Sequence, residues 1–387
     1  MPDARQPVYD LVLCGGRVLD PASGTDGTLD VAVSGDRIAA IGPNLAVHGR
    51  DVIDCTGSTV LPGLVEGHTH IFQYVSKVGA PAEEAHLRRG VVAAADAGTA
   101  GASTFPAFRK LVVEANDMRI VCFLNVSVLG LIDFRFGELL NPSTLVVDDA
   151  LEVAANNPDV VRGFKIRLSE DVVGEHWESL LTKSVALAEQ AGVPLMVHIG
   201  ETEQPLPVVL DHLRAGDIVA HCYTGKVNGI LDGVAVHPAV VTARERGVLF
   251  DSAHGRSNLS FTVAARAIAD GFLPDVVSSD TSARNWHGPV FDLLTTVSKL
   301  VALGAPFEEC VRRATVVPAA LLGIDGEGYG RLEVGGRADV TVVDLTDEVE
   351  LPDAAGNTIT APRYEPRHVL RNGRAVELVP WRGGQRA

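Results

Sequence analysis

From about residue 61 the chain repeats one unit: a short apolar run, a polar loop, a helical stretch. It keeps that rhythm for roughly 250 residues, the size and cadence of a (β/α)8 barrel. The apolar runs predict strands at 64–70, 100–105, 120–126, 161–167, 194–198, 218–221, 248–251 and 276–280. Helical spacing is clearest in HWESLLTKSVALAEQAGVP, where Leu180, Leu181, Val185 and Ala188 share a face. Gly192 is placed to cap that helix and Pro194 to stop it. A doubly wound sheet would alternate in the same way. No G-x-G-x-x-G follows an early strand, which weakens that alternative.

Both ends of the chain break the rhythm. Residues 8–60 read as short strands (YDLVLCGGRVLD, LDVAVSGDRIAAIG, DVIDCTGSTVLPG) separated by turn residues. After about 330 the β pattern returns in GRLEVGGRADVTVVDL and PRHVLRNGRAVEL. The economical arrangement pairs the two ends. The expected fold class is therefore α/β: a (β/α)8 TIM barrel over 61–330, with a small β-sandwich domain built from 1–60 plus 331–387.

Bulk properties exclude several classes. The net charge of −16 argues against nucleic acid as a partner. No run of about 18 apolar residues exists to span a membrane. Five cysteines, none in a C-x-x-C pair, read as reduced thiols. MPDARQPVYD lacks the apolar core of a signal peptide. The expectation is a cytoplasmic homo-oligomer acting on a small molecule.

The chemistry begins in LPGLVEGHTHIFQ. His68 and His70 lie two apart, so on a strand both face the same way. At the C-terminal end of a barrel strand they would point into the mouth, where barrel active sites lie. Alone, the pair is weak evidence, and a solvated strand end is the better reading. Lys165, His198, His221 and Asp280 also stand at the apolar-to-polar transition of a predicted strand. Each has a bland reading: a bonded histidine, a helix-capping aspartate, a snorkelling lysine. Six metal-competent groups at matching ends of five strands point instead to a metal site.

At this constellation the sequence resembles the amidohydrolase superfamily. The resemblance extends over nearly the whole chain, from GRVLD through VLPGLVEGHTH to GGRADVTVVD. MVHIGE, VAHCYTG and HGPVFDL look like a deacetylase branch typified by acetyl-(R)-mandelate deacetylases. The resemblance implies two divalent ions, Zn²⁺ by preference with Mn²⁺ or Fe²⁺ as alternatives. His68, His70 and Asp280 would hold one and His198 and His221 the other. A CO₂-derived carbamate on Lys165 would bridge them. It further implies cleavage of an amide or ester by a bridging hydroxide, with Asp280 as general base and then acid.

Two other reactions fit the same superfamily: a cyclic amidase of the dihydroorotase kind, and a purine or pyrimidine deaminase. His198–Glu201 resembles the H-x-G-E of deaminases, although Glu201 also suits a helix N-terminus. A non-enzymatic scaffold on this fold is disfavoured because all six positions are filled. Substrate contacts are expected on the loops after the strands, from His287, His254, Tyr223, Arg167 and Arg256. The arginines would suit a carboxylate.

Overall fold

A computed structural model describes residues 8–381. The expected domain ends at 1–7 and 382–387 lie outside the described residues.

Seven parallel strands form the central sheet: β1 (Leu64–Thr69), β2 (Val91–Gly101), β3 (Arg119–Asn125), β4 (Val161–Arg167), β5 (Leu195–His198), β6 (Ile218–Ala220) and β7 (Leu249–Asp251). They lie side by side in chain order. Parallel neighbours require crossovers, and the intervening segments supply them. Every residue of β1 and β2 is buried, as expected of strands covered on both faces.

The predicted eighth strand is reduced. Residues 276–281 form isolated parallel bridges, Asp251 with Val276 and Thr69 with Thr281. Backbone bonds still tie this segment to both edges of the sheet. Ser252 N donates to Val276 O at 3.0 Å, and Asp280 N donates to His68 O at 2.8 Å. The second strand also differs from expectation. It runs over Val91–Gly101, and Phe105–Phe108 is already helical. VVAAADAGTAG is rich in Ala and Gly, which carry little β propensity, so burial decides its conformation.

Helix Trp177–Ala191 forms where its apolar spacing predicts, burying Leu180, Leu181, Ser184, Leu187 and Ala188. Gly192 ends it at φ 68°. Two apolar layers result. One fills the space between strands and helices. The other plugs the inside of the sheet with Val65, Val92, Val121, Phe123, Met196 and Ile218.

Strands from the two chain ends share one further sheet. Its order is 374–375, Thr358–Arg371, Val340–Pro352, Thr59–Pro62, Tyr9–Asp20, Thr25–Ser34, Arg37–Gly42. Gly49–Asp54 also pairs with Tyr9–Asp20. The register of Tyr9–Asp20 shifts between Leu13 and Gly16, where Gly15 takes φ 76°. One half therefore meets Gly49–Asp54 and the other meets Thr59–Pro62. The hydrogen bonding joins all of these strands as one sheet, and Thr59–Pro62 runs across the expected 60/61 boundary.

Candidate metal centre

The strand ends bring His68, His70, Lys165, His198, His221 and Asp280 onto one cavity of about 290 Å³. Local backbone explains how. His221 and Asp280 occupy left-handed conformations, φ 68° and φ 50°. Such backbone is costly for residues other than glycine and concentrates at functional sites. The turn also interrupts strand alternation, so the side chain is re-aimed as the strand ends. Gly98, at φ 88°, stands against the Lys165 stem; a Cβ there would lie 2.6 Å from Lys165 Cγ. Gly255, at φ 57°, stands against Asp280, whose Oδ2 a Cβ would overlap.

Asp280 Oδ1 lies 3.3 Å from His70 Nε2 and 3.8 Å from His68 Nε2, and its Oδ2 lies 4.0 Å from His221 Nδ1. One ligand atom from each of His68, His221 and Asp280 falls within 4.8 Å of the others. The His198 and His221 rings meet edge to face at 4.3 Å. Lys165 Nζ is 3.4 Å from His68 Nε2. Lys165 forms no ion pair with a carboxylate among the described residues.

Supporting groups fix the imidazoles. His221 Nδ1 donates to Ala253 O at 2.8 Å, and His68 Nδ1 to Asp251 Oδ2 at 2.9 Å. His70 Nδ1 meets the Thr99 hydroxyl at 2.7 Å. For His68 and His221 the donor role of Nδ1 leaves the Nε2 lone pair free. Burial holds all four imidazoles neutral, well below the usual histidine range. Burial also lowers the Lys165 amine and raises the Asp280 and Asp251 carboxyls. Neutral imidazole nitrogens, three of the rings tethered on their far sides, beside a carboxylate and a lysine, are a donor set that fits divalent cations.

The expected substrate contacts divide. Arg167 and Arg256 line the cavity. Arg167 Nη1 is bonded to Glu138 Oε2 at 3.1 Å, and Phe134 lies between Arg167 and Arg284, 5.0 Å from each. Tyr223 and His254 do not line it. Tyr223 is wholly buried and donates to Phe272 O at 2.8 Å. His254 is equally buried and bonded to Lys299 at 2.8 Å. The left-handed turn at His221 sends the next residues, Cys222 and Tyr223, into the apolar layer. His287 is exposed off the lining, its ring 4.0 Å from Trp286. Glu201 faces the cavity at φ 60°, and Lys226 Nζ pairs with its Oε1 at 3.1 Å.

Sequence reasoning missed the groups behind the ligands: Asp251, Thr99 and Glu66. Glu66 is fully buried and accepts from Ser279 N at 3.0 Å, His68 N at 3.1 Å and the Ser279 hydroxyl. Its one signal was an acid at position 66 inside an otherwise apolar strand.

Comparison with known proteins agrees with this geometry. The amidohydrolase family model matches residues 59–376. A deacetylase of Agrobacterium fabrum is 35% identical over 353 residues, spanning 90% of this chain and 86% of that relative. A crystal structure of a dihydroorotase superposes with a TM-score of 0.87 at 32% identity, over 96% of this chain and 98% of its own. A crystal structure of an adenine deaminase also reaches 0.87, at 29% identity, over 95% and 99% of the two chains.

Proposed function

This chain belongs to the amidohydrolase family and is a hydrolase, and from that premise we propose that it removes acetyl groups from a small amide or ester. The observation that carries the choice is the 35% identity to a deacetylase over 90% of the chain. Lys165 supports the binuclear form of the site. It is a buried lysine, without a carboxylate ion pair among the described residues, placed among imidazoles. In this reading His68, His70 and Asp280 would hold one divalent ion and His198 and His221 the other, with Lys165, as its carbamate, shared between them. Zn²⁺ suits nitrogen-rich sites, and Mn²⁺ or Fe²⁺ are alternatives. When bound, such ions lower the pKa of water and polarise an acyl carbonyl.

The chain's own groups do the rest. Asp280 takes the proton released by the attacking water on its carboxylate and delivers it to the leaving nitrogen or oxygen. Asp251 and the Ala253 carbonyl keep the His68 and His221 rings in one tautomer, and with the Thr99 hydroxyl on His70 they orient three rings. Phe134 and Leu131 wall one side of the cavity and limit water there. Arg167 and Arg256 are the substrate contacts in this reading. Tyr223, His254 and His287, off the lining, are not.

The same reading takes the parallel sheet as a closed (β/α)8 barrel over 61–330 with 276–281 as its eighth member. It takes the end sheet as a β unit formed by 1–60 and 331–387. A cytoplasmic homo-oligomer is part of the proposal. Among the described residues no helix is long and apolar enough to cross a membrane.

A cyclic amidase or a deaminase is the second reading, favoured by the dihydroorotase and adenine deaminase superpositions. The Glu201–Lys226 pair weakens the deaminase, since it occupies the acid that would protonate a ring. Acetate release from a panel of N-acetyl and O-acetyl compounds, run beside ammonia release from aminopurines and ring opening of dihydropyrimidines, separates the three. Acetate in no assay, with ammonia or ring-opened product in another, would overturn the deacetylase reading.

A further inference from the structure

Lys299 is a buried charge that the metal centre leaves unexplained. It lies on helix Leu293–Ala302, where residues 293–300 are all buried, and it has no carboxylate partner among the described residues. Its Nζ is 2.8 Å from His254 Nε2 and 2.6 Å from Pro289 O. His254 Nδ1 is 2.7 Å from Gly255 O. A carbonyl only accepts, so Nδ1 carries the hydrogen and Nε2 accepts from Lys299.

The two acceptors belong to different loops, and both loops end on Asp280. On one side His254 fixes Gly255, which packs directly against the Asp280 carboxylate. His254 N and Gly255 N also donate to Ser278 O and Ser279 O, at 3.3 and 3.0 Å. On the other side Pro289 closes a turn built on Asn285, with Gly288 N donating to Asn285 O at 2.9 Å. Asn285 Nδ2 in turn donates to the Asp280 carbonyl at 2.8 Å. Asp280 thus sits in strained backbone, gripped at its carboxylate by one loop and at its carbonyl by the other.

We propose that Lys299 is a positioning residue. It clamps the His254–Gly255 loop to the Asn285–Pro289 loop and so sets the placement of Asp280. A lysine suits this task because its ammonium donates several bonds from one atom, here to acceptors on separate segments. Burial of the helix around it fixes where that atom lies. Lys299 does not touch the cavity, so it acts through the two loops.

Lys299→Met, Lys299→Gln and His254→Leu test the clamp on the full chain. Amide hydrogen exchange needs no substrate and reads the loops directly. Lys299→Met is expected to speed exchange at both 253–258 and 285–291 by about tenfold, with distant strands unchanged. His254→Leu keeps the Pro289 arm, so exchange should rise at 253–258 alone. If Lys299→Met fails to fold, this single-arm contrast carries the test.

The kinetic arm rests on the proposed role of Asp280. On a substrate found by acetate release, Lys299→Met should lower kcat by roughly 10- to 100-fold with KM within about threefold, because a displaced proton carrier slows chemistry more than binding. Lys299→Gln keeps an N–H₂ donor on a shorter, uncharged stem and should fall between wild type and Lys299→Met. Unchanged exchange at both loops would overturn the clamp. So would faster exchange at both loops with kcat intact, which would make Lys299 a brace that does not position Asp280. If the wild-type chain releases no acetate from any compound, the deacetylase reading fails while exchange still decides the clamp.

Discussion

Asp280 faces outward with its carboxylate 3.3 Å from His70 Nε2 and is held inward through its carbonyl, which accepts from Asn285. Replacing it by asparagine keeps the shape and removes the proposed proton acceptor. Asp280→Asn is therefore expected to retain bound metal and lose about 10²- to 10⁴-fold in kcat, measured by elemental analysis beside steady-state kinetics. Lys299 gives a separate residue-scale test through pH. Burial, opposed by Asp292 and Asp353, lowers its ammonium to about 7 from 10.5. A group with a lowered folded pKa costs stability while it is charged. Its penalty is full below the folded value and relieved as pH climbs towards the unfolded one. Wild type should thus gain stability relative to Lys299→Met between about pH 7 and 10.5, read from urea midpoints across that window. A constant difference would remove the lysine as the cause. The six proposed ligands were legible because each stands where an apolar run turns polar. Asp251 and Thr99 were not, because they reach His68 and His70 only through the fold, and Glu66 was not, because its partner Ser279 lies 213 residues away. Tyr223 and His254 lie off the cavity lining because both follow strand ends, where the β alternation that would aim them has already stopped.

At the scale of elements, the segment 276–281 is the informative departure. It replaces a regular strand with a left-handed turn at Asp280, and the missing ladder is made good by side chains. Glu66, on β1, accepts from Ser279 N and the Ser279 hydroxyl. Ser278 and Asp251 form the matching link on the other edge. Burial raises Glu66 to about 8, opposed by those donors. Ser279→Ala removes one donor from a buried carboxyl, and the expected cost is about 1–3 kcal/mol by urea unfolding. A loss below a few tenths would show that the closure does not depend on that bond. The helix Trp177–Ala191 and most strands were readable from periodicity. The second strand was not, since its Ala and Gly content hides a buried strand behind weak propensity. The short strand at 276–280 was read as regular because its apolar run is ordinary; its irregularity arises from aiming Asp280.

For the whole molecule, the end sheet and the parallel sheet are linked by more than the chain. The hairpin Val340–Pro352 and Thr358–Arg371 packs on helix Leu293–Ala302, with Tyr364 N donating to Ser298 Oγ at 2.9 Å. Its tip reaches the loop after β7, where Phe261 N donates to Asp353 Oδ2 at 3.2 Å. The pairing of the chain ends followed from their shared β pattern. The reach of the hairpin did not, because hairpin length beyond the sheet is set by what it packs against. Its contact with the helix carrying Lys299 places the end sheet one layer from the candidate metal centre.

The central claim is a two-ion site organised by Lys165, and metal content per chain tests it most directly. Protein loaded with Zn²⁺ and freed of excess should carry about two ions per chain, and Lys165→Ala should carry about one or fewer with most activity lost. One ion per chain in the wild type, with Lys165→Ala fully active, would contradict the account.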